Sequence, residues 1–230
     1  MPALMAALPK NIEWVTFDVY GTLIDWEKGV ADAFAKEAAR DGVEIDRDQV
    51  VDLFLQVSRE IEGGSYELYA EVLRQTAVRV AKEIGWDLET SRAGFLPDSL
   101  HRWAPYKETM PQLRKILGKY KTGVISNIDD KLLGQTRRHM AADFDLVVTA
   151  QQVRSYKPDP AHFNEFARRI GGKKGWVHIA SGVPTDIEPC AKLKVPTIWV
   201  NRRKEELEPG QKKPTLEVKT LLEAAKALGL

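Results

Sequence analysis

Cysteine is almost absent from this chain. Cys190 is the one cysteine among 230 residues, so no intramolecular disulfide can form, and no cysteine-type metal site or redox pair can be assembled. A reducing, cytoplasmic setting is the expectation. Histidine is scarce too: His101, His139, His162 and His178 are scattered without metal-ligand spacing. His178, inside an apolar run, reads as a satisfied core residue. No segment approaches the roughly 20 apolar residues that cross a bilayer. The apolar stretch 1–8 is short, has no basic lead and runs into Pro9 and Lys10, which argues against a signal peptide. There is no repeat and no low-complexity tract. Charge of one sign is missing as well: 34 basic residues against 33 acidic ones leave +1, which gives no electrostatic reason to expect nucleic acid or an anionic membrane. Lys173-Lys174 and Arg202-Arg203-Lys204 read as solvated loop charges.

What is present is alternation. Short apolar runs bounded by turn residues occur at 12–18, 121–126, 144–149, 176–181 and 195–200, the pattern of strands buried on both faces of a parallel sheet. Amphipathic helical stretches separate the later runs, at about 107–118, 130–141, 160–171 and 184–194, and a last helix is expected at about 216–228. The fold class is therefore α/β, with a Rossmann-like parallel sheet core. Residues 25–105 contain no convincing strand but four helix-period segments, at about 28–41, 47–61, 66–85 and 89–101, with Gly63-Gly64 as a break. That interval is too long for a crossover and reads as an inserted helical module. Ligands bind outside the carboxyl ends of the strands in open α/β sheets, which puts Asp18, Ser126 and Ser181 along one rim.

The run 14–18 ends on Asp18, and the chain turns through Gly21 and Thr22. A carboxylate at a strand end is a candidate nucleophile. The string Asp18-Val19-Tyr20-Gly21-Thr22 resembles the first motif of the haloacid dehalogenase superfamily, and specifically its 2-haloacid dehalogenase-like branch. Three further segments fall in register: Val124-Ile125-Ser126-Asn127, Ser155-Tyr156-Lys157-Pro158-Asp159-Pro160, and His178-Ile179-Ala180-Ser181-Gly182-Val183-Pro184-Thr185-Asp186. The resemblance extends from residue 14 to about 203. It implies a core of residues 1–24 and 106–230 with a helical cap of 25–105 over the site. It also implies Asp18 as nucleophile, Thr22, Ser126 and Asn127 as holders of the carboxylates, and Lys157 as the ammonium that lowers the Asp18 pKa and keeps it ionised. Read alone, Ser126-Asn127 is an ordinary turn and Lys157 a surface lysine in a proline-fixed loop; the motifs in register favour the site. Asp186 is left as a base, as a partner for Lys157, or as a carboxylate complementing a helix N-terminus.

Two departures from the phosphatases of that superfamily agree with each other. Tyr20 stands where they carry a second aspartate that protonates the leaving alkoxide, and Ser181 stands where they carry the first acidic residue of a magnesium site. Mg²⁺ wants carboxylate oxygens, and a phosphate ester needs both the dication and the acid. Halide leaves without a proton. The expectation is a hydrolytic, metal-independent dehalogenase of short 2-haloacids that uses no cofactor, passes through an aspartyl ester on Asp18, and yields a 2-hydroxy acid and halide. Catalytic residues are Asp18, Lys157, Asp186, Thr22 and Ser181; substrate-binding residues are Tyr20, Ser126, Asn127 and Arg59. The alternatives are a Mg²⁺-dependent small-molecule phosphatase using Asp18 and Asp186, and a non-catalytic binding protein on the same fold. A small molecule is the expected partner, without nucleic acid or membrane, and a homodimer is left open.

The branch places an arginine over the departing halide; here Leu55 aligns with it. Arg59 lies one turn further on a similar face, as a substitute or as a solvated charge. A branch tyrosine is replaced by Phe163 and a branch asparagine by Val183. Trp26 and Trp103 flank the insert and read as packing residues or, less favoured, as an apolar halide wall.

Overall fold

The computed structural model describes residues 8–230; the expectation about stretch 1–8 and the start of the core segment fall, for residues 1–7, outside the described part. Six strands form one sheet: β1 (Trp14–Phe17), β2 (Lys121–Ser126), β3 (Leu146–Thr149), β4 (Trp176–Ala180), β5 (Thr197–Val200) and β6 (Leu216–Val218). Their order is β3-β2-β1-β4-β5-β6, and every pairing is parallel. Because β1 pairs with β2 on one edge and β4 on the other, its carboxyl end lies where the strand order reverses, the place such sheets use for ligands. The register aligns Phe17 with both Val124 and Ile179. Asp18 therefore leaves the sheet between the ends of β2 and β4.

After the sheet's first strand come α1 (Trp26–Ala38), α2 (Arg47–Glu62), α3 (Tyr69–Glu83) and α4 (Phe95–Ser99), with short 3-10 turns at Ala39–Asp41, Thr90–Arg92 and Leu100–Arg102. The stretch expected as one helix over 89–101 is thus broken; Gly94 and Pro97 interrupt the period. Asp25 accepts from the Lys28 amide and Asp46 from the Asp48 and Gln49 amides, capping α1 and α2. The two ends of this insert are zipped together: the Asp25 amide donates to Ala104 O at 3.0 Å and the Tyr106 amide to Leu23 O at 3.1 Å.

The remaining helices are α5 (Thr109–Leu117), α6 (Asp130–Met140), α7 (Ala150–Val153), α8 (Ala161–Ile170), α9 (Glu188–Lys192) and α10 (Leu221–Ala227), with a π-helical turn at Val183–Ile187 before α9. The four-residue α7 was not expected from the sequence. The helix expected over 216–228 begins only at Leu221. Residues 216–218 are instead the edge strand β6, because Leu216, Glu217 and Val218 align with Ile198, Trp199 and Val200. One apolar cluster runs unbroken from Phe17, Val124 and Ile179 of the sheet through Leu23 and Ile24 into Phe34, Phe54 and Leu73 of the insert. No helix among the described residues is long and apolar enough to cross a membrane.

Candidate active site

Lys157 is the centre of the site. It is 3 % exposed, and its Nζ donates to Asp18 Oδ1 at 3.0 Å, to Asp186 Oδ1 at 2.6 Å and to the Ile125 carbonyl at 3.2 Å. A buried ammonium is tolerated here because two carboxylates and a carbonyl receive it. Burial works against its charge, but Asp18 and Asp186 outweigh burial and hold the group above its ordinary pKa. Burial raises the Asp18 carboxyl, and Asp186 adds to that rise. Lys157 pulls Asp18 downward, as the sequence suggested, but the net direction is up. For Asp186 the balance is reversed: burial opposes the charge, yet Lys157 and His178 together hold it well below the usual carboxylate range.

The turn after β1 positions the rest. Thr22 Oγ1 donates to Asp18 Oδ2 at 3.0 Å and accepts the Ser181 amide at 2.9 Å, which ties the first motif to the fourth. Gly21 has φ +93°, and a Cβ there would lie 2.6 Å from Ser181 Oγ, so both backbone and space require glycine. Tyr20 sets its hydroxyl against Thr136 Oγ1 at 2.8 Å, and its ring stands edge-on to Trp103. At Gly182 a Cβ would sit 2.1 Å from Thr185 Oγ1; its absence lets Thr185 donate to Asp186 Oδ2 at 2.6 Å.

Behind Asp186 runs a chain the sequence did not reveal. Trp176 Nε1 donates to Thr16 Oγ1 at 2.7 Å, Thr16 Oγ1 lies 2.8 Å from His178 Nδ1, and His178 Nε2 lies 3.0 Å from Asp186 Oδ1. The Asp186 carboxylate can only accept, so a hydrogen on His178 Nε2 faces it. His178 is the satisfied buried residue expected, but what satisfies it is the fourth motif's aspartate.

A cleft of about 200 Å³ opens over Asp18. Ser126, Lys157 and Ser181 line it from the sheet, Phe54, Leu55, Ser58, Arg59 and Glu62 from α2, Tyr69 from α3, and Trp26 and Trp103 from the ends of the insert. Both Leu55 and Arg59 therefore face the cleft; Arg59 is exposed and makes no ion pair among the described residues. Ser126 Oγ is buried with no hydrogen-bond partner. Asn127 differs: its Oδ1 accepts the Lys157 amide at 2.7 Å, and its Nδ2 donates to the Lys157 carbonyl at 3.2 Å and to Glu62 Oε2 at 3.1 Å. Its donors are thus already engaged. Burial pushes the Glu62 carboxyl up to about 7.

Sequence reasoning missed Glu62 and Arg202. The first is signalled by the spacing of Leu55, Ser58, Arg59 and Glu62, which share one face of α2. Arg202, expected as a solvated charge, is largely buried: it donates to Glu108 Oε1 at 2.6 Å and the Thr22 carbonyl at 2.8 Å. Its guanidinium stacks 3.8 Å from the Tyr106 ring centroid, fixing the end of β5 to the turn that carries Thr22. Among the described residues no three His, Cys, Asp or Glu side chains gather as a metal cluster.

The central strand of a parallel sheet thus ends on a buried aspartate that lines the cleft and is bridged by one lysine to a second carboxylate. The family model described as haloacid dehalogenase-like hydrolase matches residues 12–192, and the chain belongs to that family. An (S)-2-haloacid dehalogenase of Pseudomonas fluorescens is 26 % identical over 222 residues, which are 93 % of this chain and 95 % of that protein. Two solved structures share the fold. The L-2-haloacid dehalogenase of Xanthobacter autotrophicus with chloropropionic acid covalently bound has a TM-score of 0.82 at 16 % identity, covering 95 % of this chain and 98 % of its own. The HAD-hydrolase YfnB of Bacillus subtilis, bound to magnesium, has a TM-score of 0.83 at 17 % identity, covering 96 % and 100 %.

Proposed function

We propose that this hydrolase is a metal-independent dehalogenase of short 2-haloacids, with the helical insert serving as the cap that closes its site. The observation that carries the reading is the Lys157 bridge: one ammonium holds both Asp18 Oδ1 and Asp186 Oδ1. A dication needs carboxylate oxygens with open lone pairs. Here the ammonium already occupies the space between the two carboxylates, and Ser181 offers a hydroxyl where a third would stand, so the residues fit Mg²⁺ poorly. The Tyr20 hydroxyl, spent on Thr136, supplies no acid for an alkoxide.

On this reading Asp18 attacks Cα in line, the carbon–halogen electron pair departs with the halide, and an ester forms with inversion at Cα. Water then adds to the Asp18 carboxyl carbon. One of its protons passes through Asp186 to the hydroxy-acid oxygen as the ester bond breaks, the other is released to solvent, and Asp18 is restored as the carboxylate. Three donors on Asp186 stabilise its anion and weaken it as a proton acceptor, so ester hydrolysis is the slower half.

The test is halide release from 2-chloropropionate against phosphate release from p-nitrophenyl phosphate, each with and without EDTA. Halide release insensitive to chelator is the expected result; chelator-sensitive phosphate release restored by Mg²⁺ overturns the proposal in favour of a phosphatase. A single turnover in ¹⁸O water, with enzyme in excess, should label the peptide holding Asp18 and not the product. Label in the first-turnover product would mean water attacks Cα directly.

A further inference from the structure

The last residue of α2 places a carboxyl in the cleft on the side of Asn127. Glu62 Oε2 accepts from Asn127 Nδ2 at 3.1 Å, and Glu62 lines the same cleft as Asp18 and Ser126. With the Asn127 amide fully engaged, the orphaned Ser126 hydroxyl and Arg59 on α2 are donors left for a substrate carboxylate on this side, and Glu62 joins them only if Oε1 carries a proton. An ionised Glu62 would set a carboxylate against the substrate's own, in a part-buried site where like charges repel strongly. A protonated Glu62 keeps its bond from Asn127 through Oε2 and turns Oε1 into a donor.

Resting on the dehalogenase reading, we propose that Glu62 determines substrate specificity at this site: its acid form donates to the carboxylate of a 2-haloacid beside Ser126, and its anionic form excludes that substrate. The charged and titratable groups around Glu62 are Arg59 on its own helix, Lys157 beneath it, Tyr69 on α3 and Tyr156 before the lysine. Burial is the largest influence on the carboxyl, and the Asn127 hydrogen bond, Lys157 and Arg59 oppose it only in part, so the group is raised to about 7. The sign follows: Glu62 is neutral and admits the anion below that pH, and is ionised and repels it above. A neutral analogue meets no such repulsion.

The experiment measures KM and kcat for halide release from 2-chloropropionate across neutral pH, in wild type and Glu62→Gln, with 2-chloropropionamide as the uncharged comparator. For the carboxylate the wild-type KM should rise about tenfold per pH unit above the Glu62 transition, with kcat little changed. Glu62→Gln, neutral at every pH and still able to accept from Asn127, should remove the rise. The amide's KM, or its Ki where it only competes, should show no rise in either protein. A flat wild-type KM for the carboxylate, a rise that survives in Glu62→Gln, or an equal rise for the amide overturns the role of Glu62 while leaving the dehalogenase reading intact. Halide release from neither compound at any pH overturns both. Should Glu62→Gln not fold, the wild-type contrast between acid and amide decides alone.

Discussion

Replacing Lys157 by methionine keeps the unbranched apolar stem and removes its charge, together with three donations at 3.0, 2.6 and 3.2 Å. Asp186 is 1 % exposed and cannot turn to water, whereas Asp18, at 8 %, meets it only through the cleft. Breaking a buried pair from one side destabilises by about 3–5 kcal/mol. One ammonium here serves two carboxylates, which sets the expectation near the upper end, about 5 kcal/mol at neutral pH. The loss has a definite pH dependence. In wild type the Asp186 carboxyl is lowered, so its contribution is full above the unfolded value of about 3.9 and is lost as pH falls through the folded value. Asp18 is raised, so its contribution is present below about 3.9 and lost as pH rises through its folded value. Without the ammonium both carboxyls are raised by burial, and the variant sheds stability as pH rises from about 4. Urea unfolding of both proteins at about pH 4 and about pH 7.5 should show a small gap in acid and the full gap at neutrality. Adding Asp186→Asn to the variant should narrow that gap. A gap equal at both pH values, or below about 1 kcal/mol at neutrality, refutes the reasoning.

His178→Ala removes one of two donors to Asp186 Oδ1 and should lower stability by about 1.5–3 kcal/mol, the worth of a hydrogen bond to a charged group, read by urea unfolding. Asp129 accepts from the Tyr69 and Ala70 amides at 2.8 Å each, so Asp129→Ala should destabilise by about 0.5–2 kcal/mol and speed hydrogen exchange first at the start of α3. With Asp186 a weakened base, halide release in the pre-steady state should show a burst approaching one equivalent per site; linear release from the start would place the slow step before the ester.

The strands β1 to β5 were legible because strands buried on both faces read as apolar runs bounded by turn residues. The edge strand β6 was not: Leu216-Glu217-Val218 alternates over only three residues, too few to distinguish a strand from the entry of the helix that follows, and its pairing with β5 is a long-range fact. Asp18, Lys157 and Asp186 were legible because each stands in a short local string that resembles a family motif. What escaped were residues outside those strings whose role is set by a distant partner. Glu62 meets Asn127 across 65 positions, and Arg202 meets Thr22 across 180. The start of α3 has no side-chain cap of its own at Leu68; the cap is lent by Asp129, 60 positions away. His178 was legible as buried, yet its partner is set by how β4 and the π-helical turn fold back on one another.

The charge balance of the site bears on which substrate it accepts. Asp18 and Asp186 against Lys157 leave the bridged triad one negative charge when both carboxyls are ionised. A 2-haloacid brings about one more, which on the proposed reading Ser126 and an uncharged Glu62 would meet. A phosphate monoester brings about two, its second pKa being near 6, and the attacking aspartate must approach the phosphorus itself through that charge. Ser181 supplies no carboxylate for a dication that would offset it, Tyr20 supplies no proton, and Arg59 reaches the cleft from an exposed position on α2. Attack at Cα is less demanding: the negative charge that leaves on the halide is the charge that Asp18 loses on forming the ester, so the buried centre holds no added charge through the step. The same substitutions that weaken a phosphate site therefore leave displacement of halide electrostatically feasible.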